Sequence, residues 1–431
     1  MRSISGWERR NLDEVAHLDV EILVALTPKD FEFYYLDISA ASECHLNFPP
    51  TKIQFREAPS RARKVVHSGD VLMSMVRPNL KSFVYFNHSD EPCIASTGFA
   101  VLRAKEHTCS RFILYSILSE DVSRQINGLV IGSNYPAINL TAVRSLKVST
   151  PPKPEQSKIA EILATVDRAI EQTEALIAKQ QRVKTGLMQD LLTRGIDADG
   201  NLRTEKTHEF KDSPLGRIPV EWEVVSLGAV ADISAGVTLG KTHEGLSTVD
   251  LPYLRVANVQ DGFLDLSDVK VVRVPKSSVE KYALKHGDVL MNEGGDFDKL
   301  GRGTVWKAEI EECLHQNHVF KVRPKSETLS SNYLAAVSSS PHGKAFFAMA
   351  SKQSTNLASI NSSQLKSFPM LLPCYEEQLR IENYLNRYGL LDEKSNEQFN
   401  KLRALKTALM QDLLTGRKRV TALLSDPPAP A

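Results

Sequence analysis

The stretch Leu187-Met188-Gln189-Asp190-Leu191-Leu192-Thr193 returns unchanged as Leu409-Met410-Gln411-Asp412-Leu413-Leu414-Thr415, 222 residues later. The offset holds upstream without a gap: Glu155-Gln156 answers to Glu377-Gln378, Ile159 to Ile381, Leu163 to Leu385, and Ile138-Asn139 to Ile360-Asn361. A repeat of this length decides the architecture before any local reading does. One unit of structure is written twice.

Each copy sits on a long helix. In the first, Leu163, Val166, Ile170, Thr173, Ile177, Gln180, Lys184, Leu187 and Leu191 alternate three and four apart, which is heptad spacing. In the second, Leu385, Tyr388, Phe399, Leu402, Leu405, Leu409 and Leu413 take the matching face. Pro154 suits a helix start, acidic Glu155 and Glu377 suit the positive end of the dipole, and Gly195 and Gly416 supply stops. From Glu155 to Thr193 such a helix runs about 58 Å at 1.5 Å per residue. That is long for a core helix, and a coiled-coil strut is expected.

At 431 residues the chain has room for two or three domains. A formal net charge of +1 gives no basic excess, so any nucleic-acid surface must be local or shared with a partner. The five scattered cysteines read as reduced thiols of a cytoplasmic protein, and no apolar run is long enough to span a membrane. Residues 1–150 and 220–372 form two globular units, and 151–195 and 373–417 carry the helices. A linker covers 196–219, and 418–431 is a flexible tail. Trp7 to Val15 answers to Trp222 to Val230 at an offset of 215, and Gly69-Asp70-Val71-Leu72-Met73 to Gly287-Asp288-Val289-Leu290-Met291 at 218. The drift from 215 to 222 confines insertions to the globular units. Strands are expected at Val71–Val76, Phe83–Phe86 and Val319–Val322, and one short helix from Cys109 to Asp121 with Ser110 as its cap.

Catalytic motifs fall away on inspection. Ala235-Gly236-Val237-Thr238-Leu239-Gly240-Lys241-Thr242 has the spacing of a loose phosphate loop, yet His243, Gly245 and Pro252 make poor helix material behind it. Cys313, His315 and His318 lack a second cluster at ligand spacing, so a structural role is expected. Asp426-Pro427-Pro428 lacks the aromatic of a methyltransferase site. Two loop groups instead carry DNA-binding chemistry. In the first unit they are Arg77, Asn79 and Lys81 with Ser133, Asn134 and Tyr135; in the second, Asp298, Lys299 and Arg302 with Lys352, Gln353 and Asn356. Arginine, lysine, asparagine and glutamine are the side chains that hold phosphates or pair with base edges.

The whole layout resembles the specificity (S) subunit of type I restriction–modification systems. The resemblance rests on the Pro-x-x-Glu-Gln-like starts at Pro152–Gln156 and Pro373–Gln378, the two Leu-Met-Gln-Asp-Leu-Leu-Thr ends, and His208–Gly216 between them. It implies an α+β chain with two mixed, strand-rich target-recognition domains joined by two long antiparallel coiled-coil helices in a pseudo-two-fold repeat. It implies a non-catalytic subunit that reads a bipartite, asymmetric double-stranded DNA site. It also implies assembly with two methyltransferase subunits and with restriction subunits. S-adenosylmethionine, ATP and Mg would be bound by those partners, with no cofactor or metal in this chain. The family's recognition domains vary, so no DNA-contacting residue carries over. A coiled-coil scaffold without DNA binding and a phosphate-loop nucleotide binder are the competing readings.

Overall fold

The computed structural model describes residues 6–42, 45–88, 91–132, 136–240, 244–295, 300–301, 303–353 and 358–424. The chain forms two compact units, Met1–Ala175 with Asn396–Ala431, and Leu176–Ser395. Each unit therefore owns the start of one long helix and the end of the other. No helix among the described residues is long and apolar enough to cross a membrane.

The first unit has two four-stranded sheets. One orders Ala16–Leu18, Phe99–Ala104, Val71–Ser74 and Phe83–Tyr85, all antiparallel. The other orders Ile53–Gln54, Glu32–Leu36, Cys93–Ser96 and Ala62–Val66, with a parallel pair at its centre. The second unit repeats the first sheet with four strands and the other with three. Ala231–Ser234, Val319–Pro324, Val289–Asn292 and Gly303–Val305 form the antiparallel sheet. Lys270–Pro275, Thr248–Leu254 and Leu314–His315 form the other, again with a parallel pair. Glu8–Asn11 pairs with Lys147–Thr150, and its repeat Glu223–Ser226 with Pro369–Leu372. Apolar strand faces and helix stripes must be buried against something; in each unit the long helices pack into the largest cluster, and the strands of the second sheet fill separate smaller ones.

The expected single helix after Cys109 is two helices, Ser110–Leu118 and Glu120–Leu129. Ser119 is extended and its side chain accepts a hydrogen bond from Val122 N, so it starts a second helix where one was expected to continue. Cys109, not Ser110, is the cap of the first. Its amide is satisfied from afar, by Gln156 Oε1 at 2.9 Å.

The long helices span Lys153–Thr193 and Tyr375–Leu414. In the first unit Asp167 Oδ1 meets Lys406 Nζ at 2.5 Å, and Tyr115 donates to the other oxygen of the same carboxylate. Twelve residues earlier, Glu155 accepts two bonds from Arg419, at 2.6 and 2.8 Å. One number falls as the other rises, so the two segments run in opposite directions within this unit. Ile159, Leu163, Leu413 and Leu414 are buried together there. In the second unit Lys184 reaches Asp392, while Leu191, Leu192 and Ile381 share a core with Trp222 and Tyr333. Leu163, Val166, Leu191 and Leu413 are buried, and Ile170, Ile177, Leu187, Leu385, Tyr388, Phe399, Leu402 and Leu409 half-buried. Leu405 departs from expectation and is 46% exposed. The alternation of three and four passes through Lys406, which keeps its stem on the seam and its ammonium on Asp167.

The repeated sequence words are scaffold parts. Gln156 Nε2 donates to the carbonyl of Pro151, and Gln378 Nε2 to that of Pro373. Asp70 and Asp288 each take a backbone amide at the turn behind their glycine and a two-pronged arginine, Arg103 and Arg323. Asn139 and Asn361 cap short helices. The glutamates before the glutamines are anchored as well. Glu377, its side chain 2% exposed, pairs with Arg203 and accepts from Trp222 Nε1 at 3.2 Å and Ile196 N at 2.9 Å. The linker thus holds an anchor (Arg203) and a hairpin, Phe210–Ser213 with Gly216–Pro219. The segment expected as a flexible tail opens likewise on an anchor, with Arg419 on Glu155 and Val420 buried, because the buried carboxylate requires a cation.

Gly195 has φ +67, and a Cβ there would meet Glu377 Oε1 at 2.1 Å and Trp222 Cζ2 at 2.4 Å. A Cβ at Gly186, inside the first long helix, meets nothing within 4 Å. Gly195→Ala should therefore cost about 2–4 kcal/mol through strain and overpacking, while Gly186→Ala should add about 1 kcal/mol from helix propensity. Chemical denaturation of the two variants checks this; equal effects would contradict the anchor at Gly195.

Candidate nucleic-acid interface

The loops singled out in the sequence lie 50 to 60 residues apart, and in both units the fold brings together described segments that flank them. In the first, Val76 and Ile131 both bridge to Ala137, Arg77 N donates to Pro136 O at 2.7 Å, and Ile138 N to Met75 O at 2.9 Å. In the second, Gly294–Gly295 and Lys352–Gln353 flank Ala358–Ser359 in a three-stranded sheet, and Ile360 N donates to Glu293 O at 2.8 Å. The same small platform is built twice, closed in each unit by the isoleucine of the repeated Ile-Asn. Loops set on a rigid scaffold are where specificity is usually carried.

Arg77 and Asn79 are exposed on a turn, Pro78–Leu80, whose flanks are both left-handed, Arg77 at φ 47 and Lys81 at φ 52. Non-glycine residues held there cost energy that only a packed surrounding maintains, and such residues cluster at binding sites. Lys81 does a structural job: its ammonium donates to the carbonyl of Leu118 at 3.1 Å, at the C-terminal end of the Ser110–Leu118 helix. Lys352 and Gln353 lie on the flanking strand of the second platform. Ser133, Asn134, Tyr135, Asp298, Lys299, Arg302 and Asn356 lie outside the described residues.

Sequence reasoning missed Arg103, Arg323, Arg203 and Arg419, the cations that hold the repeated carboxylates. Their only signal was a shared offset near 220 (Arg103 to Arg323) and 216 (Arg203 to Arg419). The phosphate-loop reading fails on geometry. Behind Ala231–Ser234 the chain turns into the strand Thr248–Leu254 rather than a helix, and a Cβ on Gly236 would meet His315 O at 1.9 Å. Gly236 is there for close backbone packing.

The chain matches the family model for the type I restriction modification DNA specificity domain twice, over residues 4–180 and 219–403. It belongs to that family. It is 27% identical over 297 residues to the type I restriction enzyme MjaVIII specificity subunit of Methanocaldococcus jannaschii, covering 68% of this chain and 67% of that one. It is 23% identical over 329 residues to the EcoKI specificity subunit of Escherichia coli, covering 76% and 68%. A further relative from the same archaeon matches over 215 residues, half the length of each chain. A solved chain from work on complex assembly and conformational transition of the type I R-M system superposes with a TM-score of 0.58 at 25% identity, covering 96% of this chain and 99% of that one. This is a specificity chain and not a catalytic one.

The turn beyond His315 carries the second platform's neighbours Asn317 and His318. His315 is fully buried, its Nδ1 lies 2.7 Å from Val319 O, and burial pushes the imidazole down to about 4. Cys313, beside it, is also buried, and desolvation pushes its thiol up to about 12. Both side chains are packed in the core. The unfolded chain protonates His315 near 6.5, and the folded chain only near 4. Stability from this group is then complete above about pH 6.5 and falls by roughly 3 kcal/mol as the pH drops to about 4. In denaturant titrations the stability gap between the wild type and His315→Asn should shrink by that amount over this range. Parallel curves would show that His315 titrates alike in both states.

Proposed function

We propose that this chain supplies the sequence specificity of a type I restriction–modification complex. It reads a bipartite, asymmetric double-stranded DNA site, one half by each globular unit. The observation that carries the reading is the doubled platform, with one backbone frame in both units and different side chains on it. Equal frames suit two similar DNA helical segments, and unlike side chains suit two unlike half-sites. Arg77 and Asn79, with Ser133 to Tyr135, serve the first half-site. Asp298, Lys299, Arg302, Lys352, Gln353 and Asn356 serve the second.

The long helices act as an antiparallel coiled-coil spacer with a pseudo-two-fold relation. Support comes from the opposed direction of Glu155–Arg419 and Asp167–Lys406 in the first unit and the matching Lys184–Asp392 pair in the second. A closed two-fold repeat of this kind would present its two readers to two half-sites with an unread gap between them. In domain terms the readers are 1–150 and 220–372, and 151–195 and 373–417 are the spacer.

Partners complete the activity. Two methyltransferase subunits and the restriction subunits bring S-adenosylmethionine, ATP and Mg, and this chain binds none of them. With a formal net charge of +1, the chain alone contributes little of the phosphate attraction that drives DNA binding, and partners supply the remainder. The complex works in the cytoplasm, on DNA.

Exchange of residues 1–150 for the matching unit of a relative tests the reading. In cells carrying the chimera with its methyltransferase, mapped methylation should show one half-site replaced and the other unchanged. A change in both halves together would remove the idea of independent readers.

A further inference from the structure

The two platforms share their backbone bonds one for one. Met75 N donates to Gly98 O at 2.8 Å, and Glu293 N to His318 O at 3.0 Å. Ile138 N donates to Met75 O at 2.9 Å, and Ile360 N to Glu293 O at 2.8 Å. The side chains on that shared frame differ in kind. The first unit offers Met75, Thr97 and Gly98, and the second Glu293, Asn317 and His318. At Gly98 a Cβ would lie 2.1 Å from Ile38 Cδ1, so the Ile38 side chain would have to move to admit one. The second unit has room at the same place for an imidazole that is 57% exposed.

These three polar groups form one chain. His318 Nδ1 is 2.5 Å from Glu293 Oε2, and Asn317 Nδ2 is 3.4 Å from His318 Nε2. The arrangement suits the tautomer in which Nδ1–H donates to the carboxylate and Nε2 accepts from the amide, an assignment inferred from the network. It leaves one Glu293 oxygen and the Asn317 carbonyl and second N–H for other partners. The core does not require them. Asn292 next door is buried and gives its amide to Val259 O at 3.0 Å, whereas an exposed side-chain contact such as His318–Glu293 adds little to stability.

We propose that Glu293 and Asn317, held in place by His318, determine the specificity of the second unit by hydrogen bonding to major-groove base edges of its half-site. The inference rests on the reading of the two units as DNA readers. An asparagine amide matches the donor and acceptor of adenine, and a carboxylate accepts from the amino group of cytosine. His318 is a positioning residue: it orients the carboxylate and takes up part of its charge near the phosphates. The first unit, with methionine, threonine and glycine there, carries neither the carboxylate nor the amide.

The test uses the full chain purified with its methyltransferase and duplexes in which each base pair of the site is substituted singly, at one fixed salt concentration. The wild type should lose about tenfold or more in affinity at one or two base pairs of the second half-site. Asn317→Ala and Glu293→Gln should each bring the loss at one of those pairs close to onefold, leaving every position of the first half-site and the thermal unfolding temperature unchanged. His318→Ala should weaken discrimination at the Glu293 position, and His318→Gln should restore part of it. Unaltered discrimination profiles in Asn317→Ala and Glu293→Gln would overturn the proposal. Absence of any discrimination by the wild-type complex would instead remove the reading of the chain as a DNA reader.

Discussion

Two buried carboxylates hold this molecule's plan. Glu155 and Glu377, each with a side chain 2% exposed, open the two long helices, and each is met by an arginine from the chain just beyond the end of the other helix. A carboxylate taken out of water without a partner would cost several kcal/mol. Every unit must therefore contain the start of one helix and the stop of the other. That requirement explains why the helices run oppositely within a unit. It also explains why Gly195 must be glycine and why the segments after Thr193 and Leu414 are ordered. The surrounding leucines add about 1.5–3 kcal/mol for each fully buried side chain, but they are interchangeable along a heptad. The charged anchor is what selects the pairing.

With the anchor in place, the rest of the repeat falls into scaffold and variation. Words that recur in the sequence, Glu-Gln, Gly-Asp, Ile-Asn and Leu-Met-Gln-Asp-Leu-Leu-Thr, all turn out to satisfy buried backbone groups or fill cores. On the two platforms the side chains beside these shared words differ, Met75, Thr97 and Gly98 against Glu293, Asn317 and His318. On the proposed reading this division is functional: a specificity chain needs a constant frame for its partners and for spacing, and changeable side chains where bases are read.

The architecture was legible because it is periodic. Heptads from Leu163 to Leu191 and a repeat without gaps announce long helices and doubled units with no tertiary information. What stayed hidden depends on contacts between distant residues. Nothing local marks Arg203 or Arg419 among the 53 lysines and arginines. Ser119, a helix breaker and a helix cap at once, was absorbed into one predicted helix. Leu405 looked like a seam residue because it is apolar, yet Lys406 holds the seam through its aliphatic stem. The candidate loops were found by residue chemistry, but their convergence is a matter of register between strands. Of the candidates, Lys81 also has a scaffold contact that the sequence does not reveal, one N–H of its ammonium donating to the carbonyl of Leu118. Glu293 and His318 stand side by side only after folding.

The central claim is that the helices set the distance between two readers, and helix length tests it directly. Four helix-forming residues inserted after Ile177 lengthen the first long helix by about 6 Å and turn it by a net 40° or so. One added base pair supplies ~3.4 Å and about 34° of twist, two supply ~6.8 Å and twice the twist. Methylation mapped in cells carrying the variant with its methyltransferase should show both half-sites retained and the gap between them longer by one or two base pairs. An active complex with the original gap would contradict the account.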